Sequence, residues 1–231
     1  METSLHRELK LLYAGAAAQT EVRYGRYRID AVVGGELIEI QHGRLGAISF
    51  KIAELLADHA VRIVKPIVRE KLLVKRRRKG GKIVERRRSP KRGQLLDVFD
   101  DLVYFTKVFP HPRLVIEAVL VDVEEYRYPG HGRRWRRRGR DHQVEDQHLV
   151  GVGESCLLRT PDDLVALLDC PLAERFHTGQ LAEWIGRPRF IAQRIAYCLR
   201  ETGAVKVVGK QGNALLYEVP KRRAGKRTRA A

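Results

Sequence analysis

Hydrophobic and polar residues recur along the chain with two different periods, and these periods predict helices and strands in alternation. A first helix is predicted over residues 3–17, where apolar side chains follow the i, i+4, i+7, i+8 spacing of one helix face: Leu5, Leu9, Leu12, Tyr13 and Ala16. Two short strand-like runs, 26–33 and 36–41, then flank the pair Gly34–Gly35. Because two glycines between such runs favour a tight turn, this segment is predicted to be a β-hairpin.

The same patterns continue along the chain and predict the fold class. They indicate, in chain order, a helix over 48–59, a strand over 61–68, a basic hairpin over 71–88 that turns at Gly80–Gly81, an amphipathic helix over 95–108, and strands over 113–126 and 144–158. Thr160 followed by Pro161 is typical of a helix start, since proline is well tolerated at the first helical position. This order favours an α/β fold with a mixed sheet flanked by helices, in which 113–126 is a central strand.

The C-terminal segment is organised differently. A short helix ends at Gly186, a second helix is predicted over 188–202, and a hairpin follows over 204–219. Two short helices joined by a tight turn and followed by a hairpin resemble a winged helix-turn-helix domain. In the second helix, five residues are expected to fill the apolar face: Phe190, Ile191, Ile195, Cys198 and Leu199.

This resemblance implies that helix 188–202 is a recognition helix that enters the DNA major groove. Arginine and glutamine suit phosphates and base edges, so the residues expected to contact DNA are Arg189, Gln193, Arg194 and Arg200, with Lys210 at the tip of the wing. Winged-helix domains also serve as protein-interaction modules, and the sequence leaves that alternative open.

Composition narrows the class of protein further. The 231 residues are 44% hydrophobic, which is enough for a substantial core and excludes wholesale disorder. No apolar run approaches the roughly 20 residues of a membrane span, and the N-terminus lacks the apolar stretch of a secretory signal peptide. The cysteines, Cys156, Cys170 and Cys198, are too widely spaced for a zinc site or a disulfide framework. We therefore expect a soluble cytoplasmic protein, associated with the nucleoid, that has no membrane partner.

The formal net charge of +17 is concentrated in three strips. Residues 62–92, 133–140 and 221–231 carry +13, +6 and +6, which leaves −8 for the rest of the chain. A mildly acidic body with basic strips is typical of a protein that binds nucleic acid, although the tail alone is more simply a solvated segment. The side chains expected to grip the phosphate backbone are Arg76, Arg77, Arg78, Arg86, Arg87 and Arg88 in the basic hairpin, and Arg134, Arg136 and Arg137 in an Arg-rich loop over 129–140.

The Gly34–Gly35 hairpin also predicts a pair of opposed carboxylates. If the turn has two residues, opposing positions sum to sixty-nine, so Asp30 lies opposite Glu39 and on the same face of the sheet. Carboxylates placed directly across a strand pair have Cβ atoms roughly 4.5–5.5 Å apart and repel each other. Such a pair favours a cation between them, and hard oxygen ligands suit Mg²⁺ or Mn²⁺.

An acid on one strand, a hairpin, and an acid-x-Lys/Gln motif on the next strand resemble the PD-(D/E)XK nuclease superfamily. Here the motif consists of Asp30, Glu39 and Gln41. The order of predicted elements fits that family's α-β-β-α-β core, well over residues 3–68 and loosely over 69–158. The resemblance implies a restriction-endonuclease-like core in which Asp30, Glu39 and the carbonyl group of Ile40 bind the metal.

The chain departs from the family pattern at two positions. Ile29 replaces a proline, and Gln41 stands where the family's lysine helps to orient or activate the attacking water. Because glutamine can position a water but carries no charge, Lys51 on the inward face of the next helix is a second candidate for that role. Glu8, on the first helix, would correspond to an additional acid that some family members carry there.

These observations together predict a metal-dependent endonuclease that hydrolyses phosphodiester bonds in duplex or branched DNA. The predicted organisation is a nuclease-like domain over 1–158, a linker helix over 159–170, a winged helix over 171–219 and a basic tail over 220–231. A lone active site would favour a homodimer for double-strand cuts. Two alternatives stay open: a non-catalytic DNA-binding or regulatory protein on a degenerate nuclease fold, and an RNA-processing nuclease.

Overall fold

A large mixed sheet forms the centre of the protein, and the computed structural model describes residues 3–15, 19–130 and 142–220 of the chain. The strand order is β1-β2-β3-β4-β6-β7, with β5 paired to the second half of β4. The β3–β4 and β4–β6 pairs are parallel and the others are antiparallel, so the predicted mixed α/β fold is confirmed. The strands are β1 Gln19–Tyr24, β2 Tyr27–Val33, β3 Glu36–Ile40, β4 Val61–Arg76, β5 Ile83–Arg88, β6 Leu114–Pro129 and β7 His142–Leu158.

Helices cover both faces of this sheet. The helix α1, Ser4–Ala14, packs Leu5 and Leu9 against a small apolar cluster that includes Ile38 and Val64. The opposite face carries α2 Ser49–Leu55, α3 Val98–Leu102 and α4 Pro161–Ala166, together with short 3-10 helices at Leu45–Ile48 and Leu95–Asp97. None of the helices in the described ranges is both long and apolar enough to cross a membrane.

The helices α1 to α4 are all shorter than predicted; α2 ends at Leu55 and α4 at Ala166. In α1, Leu12 is 56% exposed because the last turn directs Tyr13 toward the sheet, where its hydroxyl donates to Glu117 Oε1 at 2.8 Å. The helix predicted over 95–108 is α-helical only as far as Leu102. Tight turns then replace it, yet Phe105 stays buried, since i→i+3 turns preserve nearly the same apolar spacing.

One strand of the main sheet was not predicted. The segment Gln19–Tyr24 forms β1 at the edge of the sheet and pairs with β2 around a turn at Gly25–Arg26. Its burial pattern is mostly exposed, so its sequence lacks the apolar alternation by which strands are recognised. Two other predictions fall partly or wholly outside the described residues, namely Ala16 of the first helix and the basic tail.

The C-terminal elements are a helix pair and a hairpin, in the predicted order. They comprise β8 Arg175–His177, α5 Thr178–Trp184, α6 Arg189–Glu201, β9 Lys206–Gln211 and β10 Ala214–Glu218, with the sheet order β8-β10-β9. The strand β8 was not predicted. Phe190, expected on the apolar face of α6, is 53% exposed because it lies about 140° around the helix from the buried Ile195.

The C-terminal elements share one apolar core with the main sheet. In α6, the thiol of Cys198 is buried and lies 3.8 Å from the carbonyl oxygen of Phe99 in α3, as expected for a core cysteine. Two ion pairs flank this contact, Arg187 with Asp97 and Arg194 with Asp100, each at 2.7 Å. A single cluster of buried side chains runs from Ile29 to Tyr217. The two parts of the protein are therefore expected to unfold together.

Replacing Phe99 with alanine tests this shared core. Loss of a fully buried aromatic ring should lower the free energy of unfolding by about 3–5 kcal/mol. We expect Trp184 fluorescence, measured in a Trp135→Phe background, and far-UV circular dichroism to report one urea transition at the same midpoint. Tyr104→Ala, at a side chain that is 61% exposed, is the control and should change stability much less. Separate transitions for the two signals would show that the core is not shared.

Candidate active site

The hairpin between β2 and β3 opens at Asp30. Its register pairs Val33 with Glu36 and Ala31 with Ile38, which confirms the predicted two-residue turn. The paired ladder ends at Ala31–Ile38, and the N–H of Ile40 donates to Asp30 Oδ2 at 2.8 Å. Ile29 and Ala31 are both buried, but in the clusters on opposite faces of the sheet. The alternation of side chains is therefore interrupted at Asp30, where the two strands separate.

Asp30 consequently faces α1. Its Oδ1 lies 3.0 Å from Nε2 of His6, so both carboxylate oxygens have hydrogen-bond partners. Burial raises the pKa of Asp30, but the hydrogen bonds from His6 and Ile40 and the charges of His6 and Lys10 bring it below its ordinary value. The prediction that Asp30 and Glu39 share one face is thus corrected, because the break in β2 turns Asp30 toward α1.

Glu39 faces α2 and is paired with Lys51. The Nζ of Lys51 donates to Glu39 Oε1 at 2.7 Å and to the carbonyl oxygen of Arg28 at 2.6 Å. The other carboxylate oxygen, Glu39 Oε2, is buried and has no hydrogen-bond partner among the described residues. Burial raises the pKa of Glu39 above its usual range; the bond and the charge of Lys51 oppose this, and the charge of Asp30 adds to it. A buried carboxylate with an unsatisfied oxygen is poised to bind a cation.

The loop after β3 holds Gln41 and His42. Gln41 Nε2 donates to the carbonyl oxygen of Arg44 at 3.0 Å, so this side chain braces the loop. His42 Nε2 is buried without a hydrogen-bond partner, and burial, with the charges of His6 and Lys65, lowers the pKa of His42 to about 4. His42 is therefore neutral near pH 7.

A buried lysine on β4 holds this loop through hydrogen bonds to its carbonyl oxygens. Lys65 is 5% exposed, and its Nζ donates to the carbonyl oxygens of His42 and Gly43 at 3.1 and 2.7 Å. The same nitrogen lies 2.9 Å from Asp101 Oδ2 on α3. Sequence analysis did not single out Lys65, although a lone lysine inside an apolar strand was a usable signal.

Glu8 lies away from these carboxylates. Its Oε2 accepts from the N–H of Leu149 at 2.6 Å, and its Oε1 lies 3.2 Å from His148 Nδ1. Glu8 therefore contacts β7, the far edge of the sheet, and the side chain from α1 that reaches Asp30 is His6. No sequence pattern distinguished His6, since a lone histidine on a helix is most often incidental.

An open cavity of about 400 Å³ adjoins Asp30. Cationic and anionic groups meet in it, and Lys10 Nζ lies 2.7 Å from Glu21 Oε1 at its wall. Asp30 lines this cavity, whereas Glu39 does not. Its lining residues are Thr3, His6, Lys10, Glu21, Arg28, Asp30 and His42.

Asp30 faces α1 and Glu39 faces α2, and the charge of Asp30 contributes to the raised pKa of Glu39. Across the described ranges, no group of three or more His, Cys, Asp or Glu side chains is arranged to hold a metal ion. Mg²⁺ needs only one or two carboxylates when waters and phosphate oxygens complete its coordination. Glu39 Oε2, which is buried and has no hydrogen-bond partner among the described residues, could supply one such carboxylate oxygen. Ile40, the third predicted ligand, directly follows Glu39 on β3, and its N–H already bonds Asp30.

The basic hairpin, formed by the second half of β4 and by β5, is mostly exposed. Arg77, Arg78 and Arg88 are exposed and make no ion pair within the described residues, whereas Arg86 and Arg87 lie 3.5 Å from Glu124 and Glu85. Arg76 differs, because its guanidinium pairs with Glu145 at 3.0 Å and stacks on Tyr126. Arg76 is thus already engaged by the protein, while its neighbours are free to meet a ligand.

The predicted contacts on α6 are only partly available. Arg189 and Gln193 are exposed, but Arg194 pairs with Asp100 and Arg200 pairs with Glu201 at 2.6 Å. Lys210 is exposed on β9, which turns into β10 at Gly212–Asn213. The remaining predicted contacts, Arg134, Arg136 and Arg137, lie outside the described residues.

These features define an α/β protein with a pair of carboxylates at an opened hairpin. The chain belongs to the family described as "Domain of unknown function (DUF8091)", whose model matches residues 3–159. It is also similar to an "Uncharacterized protein" of Treponema pallidum (strain Nichols), with 27% identity over 217 residues, which covers 94% of this chain and 84% of the relative. The latter similarity extends over the C-terminal elements as well. No solved structure matches this chain.

The raised pKa of Glu39 predicts the pH dependence of stability. A carboxyl group whose folded-state pKa lies above its ordinary value of 4.5 stabilises the fold most below that value, and this contribution is lost as the pH rises through the folded-state pKa. Glu39→Gln removes the ionisation, so the variant should gain stability relative to wild type as the pH rises from 4.5 through the folded-state pKa of Glu39.

Urea unfolding across this pH range measures the difference. Glu154→Gln, at an exposed position on β7, is the matched control and should give a much flatter difference. A difference between wild type and Glu39→Gln that stays constant with pH would contradict the assignment of Glu39 as a strained buried acid.

Proposed function

We propose that this protein is a metal-dependent endonuclease that hydrolyses phosphodiester bonds in DNA. The observation that carries the proposal is the buried carboxylate of Glu39, which pairs with Lys51 through Oε1, keeps Oε2 without a hydrogen-bond partner among the described residues, and has its pKa raised in part by the charge of Asp30. The order α1, β2, β3, α2, β4 supports a PD-(D/E)XK-like core around these residues.

Asp30 and Glu39 would hold the metal, Mg²⁺ or Mn²⁺. When bound, such an ion lowers the pKa of a water molecule and neutralises charge that develops on the phosphate. Hydrogen bonds from His6 and Ile40 keep Asp30 ionised and fix its orientation. Lys51 in turn fixes Glu39 through Oε1, which leaves Oε2 as the available ligand atom.

Lys51 is the better candidate than Gln41 for the family's lysine. Its ammonium group lies 2.7 Å from Glu39 and is 16% exposed, so it supplies a positive charge at the carboxylates. Gln41 instead donates its amide to the Arg44 carbonyl oxygen. Lys51 can therefore orient a water and stabilise anionic charge on the substrate, whereas Gln41 supports the loop.

The basic hairpin and α6 would position the nucleic acid. Glu39 pairs with Ile63 on β4, and Leu72 on the same strand pairs with Arg88. Nine residues of β4 therefore separate the level of Glu39 from the hairpin. At about 3.3 Å per residue, this distance is roughly 30 Å, which equals the length of about nine base pairs of B-form DNA. The helix pair and hairpin of the C-terminal elements support a winged-helix assignment, with Arg189 and Gln193 on the outward face of α6.

A non-catalytic DNA-binding protein is the second candidate. Two observations favour it: no three-ligand metal cluster occurs in the described part of the chain, and glutamine occupies the family's lysine position. Both functions predict DNA binding, but only the enzyme predicts that divalent ions stabilise the wild-type protein through Asp30 and Glu39.

Cleavage of labelled linear and branched DNA with Mg²⁺ or Mn²⁺ tests the proposal. We expect wild type to cut, and Asp30→Ala and Glu39→Ala to bind duplex normally without cutting. Lys51→Met should slow cleavage by about 10²-fold or more, because it removes the charge at the site, whereas Gln41→Ala should cost only a few-fold. Wild-type cleavage rates in Glu39→Ala would refute this site. Tight binding without cleavage, and without stabilisation by either ion, would favour the second candidate.

The different environments of Arg76 and Arg77 predict different effects on DNA binding. Arg77→Gln should weaken binding and reduce the slope of log affinity against log salt by about 1, since one phosphate contact is lost. Arg76→Gln should instead lower stability, because it leaves the largely buried Glu145 without its partner. Fluorescence anisotropy over a salt series and thermal unfolding measure the two effects. Equal salt slopes for wild type and Arg77→Gln would exclude the hairpin from the interface.

A further inference from the structure

A second cavity, of about 570 Å³, lies at the base of the basic hairpin. Ile67 lines it and belongs to the same apolar cluster as Ile52 of α2, so this cavity opens on the sheet face that carries Lys51. Its walls come from β4, β5, β6, β7, the segment 89–93 and the 3-10 helix that carries Asp97. Its nearest β4 residue, Ile67, lies four residues, or roughly 13 Å, along the strand from the level of Glu39, and Lys71 lies roughly 26 Å from that level.

Cationic side chains converge on this cavity from several walls. They are Lys71, Arg87, Lys91, Arg92 and Arg127. Lys91 is exposed and Arg127 is half-buried, and neither makes an ion pair within the described residues. Arg92 lies 3.7 Å from Glu70, a distance typical of a weak, exposed pair.

The two acids in the cavity already have partners, Glu125 in Lys71 of the cavity wall and Asp97 in a residue outside it. Glu125 accepts from Lys71 at 2.6 Å and from Gln147 at 2.9 Å. Burial raises the pKa of Glu125, but these bonds and the charges of Lys71 and Arg127 hold it below its ordinary value. Asp97 pairs with Arg187 of the C-terminal elements. The cavity therefore keeps a surplus of positive charge.

The cavity also has an apolar wall. Ile67, Leu73 and Pro90 lie on it, and the chain of segment 89–93 is held close, because Gly93 N donates to the Val68 carbonyl oxygen at 3.0 Å. A side chain at position 93 would clash with that oxygen, so only glycine allows this close approach. The segment is thereby fixed as a wall of the cavity. Cations on several sides and an apolar surface suit a phosphate group attached to a nucleoside.

We propose that this cavity binds the phosphate monoester of a nucleotide, and that its ligand is the phosphorylated end of a nucleic acid strand. A terminal monoester is dianionic and exposes three oxygens, so it can meet cations from several walls at once, whereas an internal phosphodiester exposes two along a groove. The inference rests on the proposed function in taking nucleic acid as the ligand. A free mononucleotide carries the same chemistry.

Binding of end-modified oligonucleotides tests the proposal in EDTA, where no metal-dependent cleavage can occur. One labelled duplex is prepared with a 5′-phosphate, with a 3′-phosphate, or with hydroxyls at both ends, and its affinity for the full-length protein is measured near physiological salt. We expect one phosphorylated form to bind at least about tenfold more tightly than the hydroxyl form, since charge-assisted hydrogen bonds are among the strong ones.

Arg127→Gln and Lys91→Gln should remove this preference and leave binding of the hydroxyl form nearly unchanged. Lys91 is exposed, so its variant stays folded even if loss of Arg127 disturbs the cavity. Lys79→Gln, which removes one charge at the exposed hairpin tip, is the matched control and should weaken all forms equally. Competition with deoxyadenosine monophosphate distinguishes the two ligands. If the mononucleotide displaces the phosphorylated duplex at concentrations close to the dissociation constant of that duplex, the ligand is a free nucleotide. If it displaces the duplex only at much higher concentrations, the ligand is a strand end.

Equal affinity for all three duplexes, together with no binding of the mononucleotide, would overturn the proposal. A preference that survives both Arg127→Gln and Lys91→Gln would overturn it as well. This assay measures binding in EDTA and does not depend on cleavage, so its result is independent of the activity of Glu39→Ala. Failure of the phosphate site and failure of the proposed hydrolysis are therefore distinguishable.

Discussion

Lys65 is a buried cation on β4, and its ammonium group connects the parts of the molecule on which the candidate site depends. It donates to the carbonyl oxygens of His42 and Gly43, which fixes the loop after β3, and it pairs with Asp101 on α3. A buried ammonium group is tolerated only when its donors find partners, and here the three partners come from two segments, the loop after β3 and α3. The position of the loop beside Glu39 and the position of α3 on the sheet are thus set by one charge.

The same helix connects the site to the C-terminal elements. Asp101 faces Lys65, while the preceding residue, Asp100, pairs with Arg194 of α6. Because the thiol of Cys198 and the ring of Phe99 are buried between α6 and α3, this contact is apolar at its centre and ionic at its rim. The helix α6 is consequently held on the side of the sheet that carries α2 and Lys51.

The carboxylates of Asp30 and Glu39 are buried or half-buried charged groups whose ionisation the surrounding structure shifts. Glu39 is buried with one oxygen unsatisfied and a raised pKa, whereas Asp30 keeps its charge only through bonds to His6 and a backbone N–H. A well-packed fold has no structural need for such a pair, and local strain of this kind is concentrated at functional sites. In the basic hairpin, Arg77, Arg78 and Arg88 are exposed and make no ion pair within the described residues, whereas Arg76, Arg86 and Arg87 are paired with acids.

The sequence by itself determined the local features of this protein. Apolar spacing predicted most helices and strands, Gly34–Gly35 predicted the register of the β2–β3 hairpin, and the composition predicted three basic strips. These features depend on neighbours along the chain, so they can be read without a fold. The tertiary structure alone decided that α1 brings His6 and not Glu8 to Asp30, that Lys51 rather than Gln41 meets Glu39, and that Arg76 is engaged while Arg77 is not. Each of these choices depends on how helices and strands distant in sequence are placed and where the side-chain alternation breaks, and no local period encodes that placement.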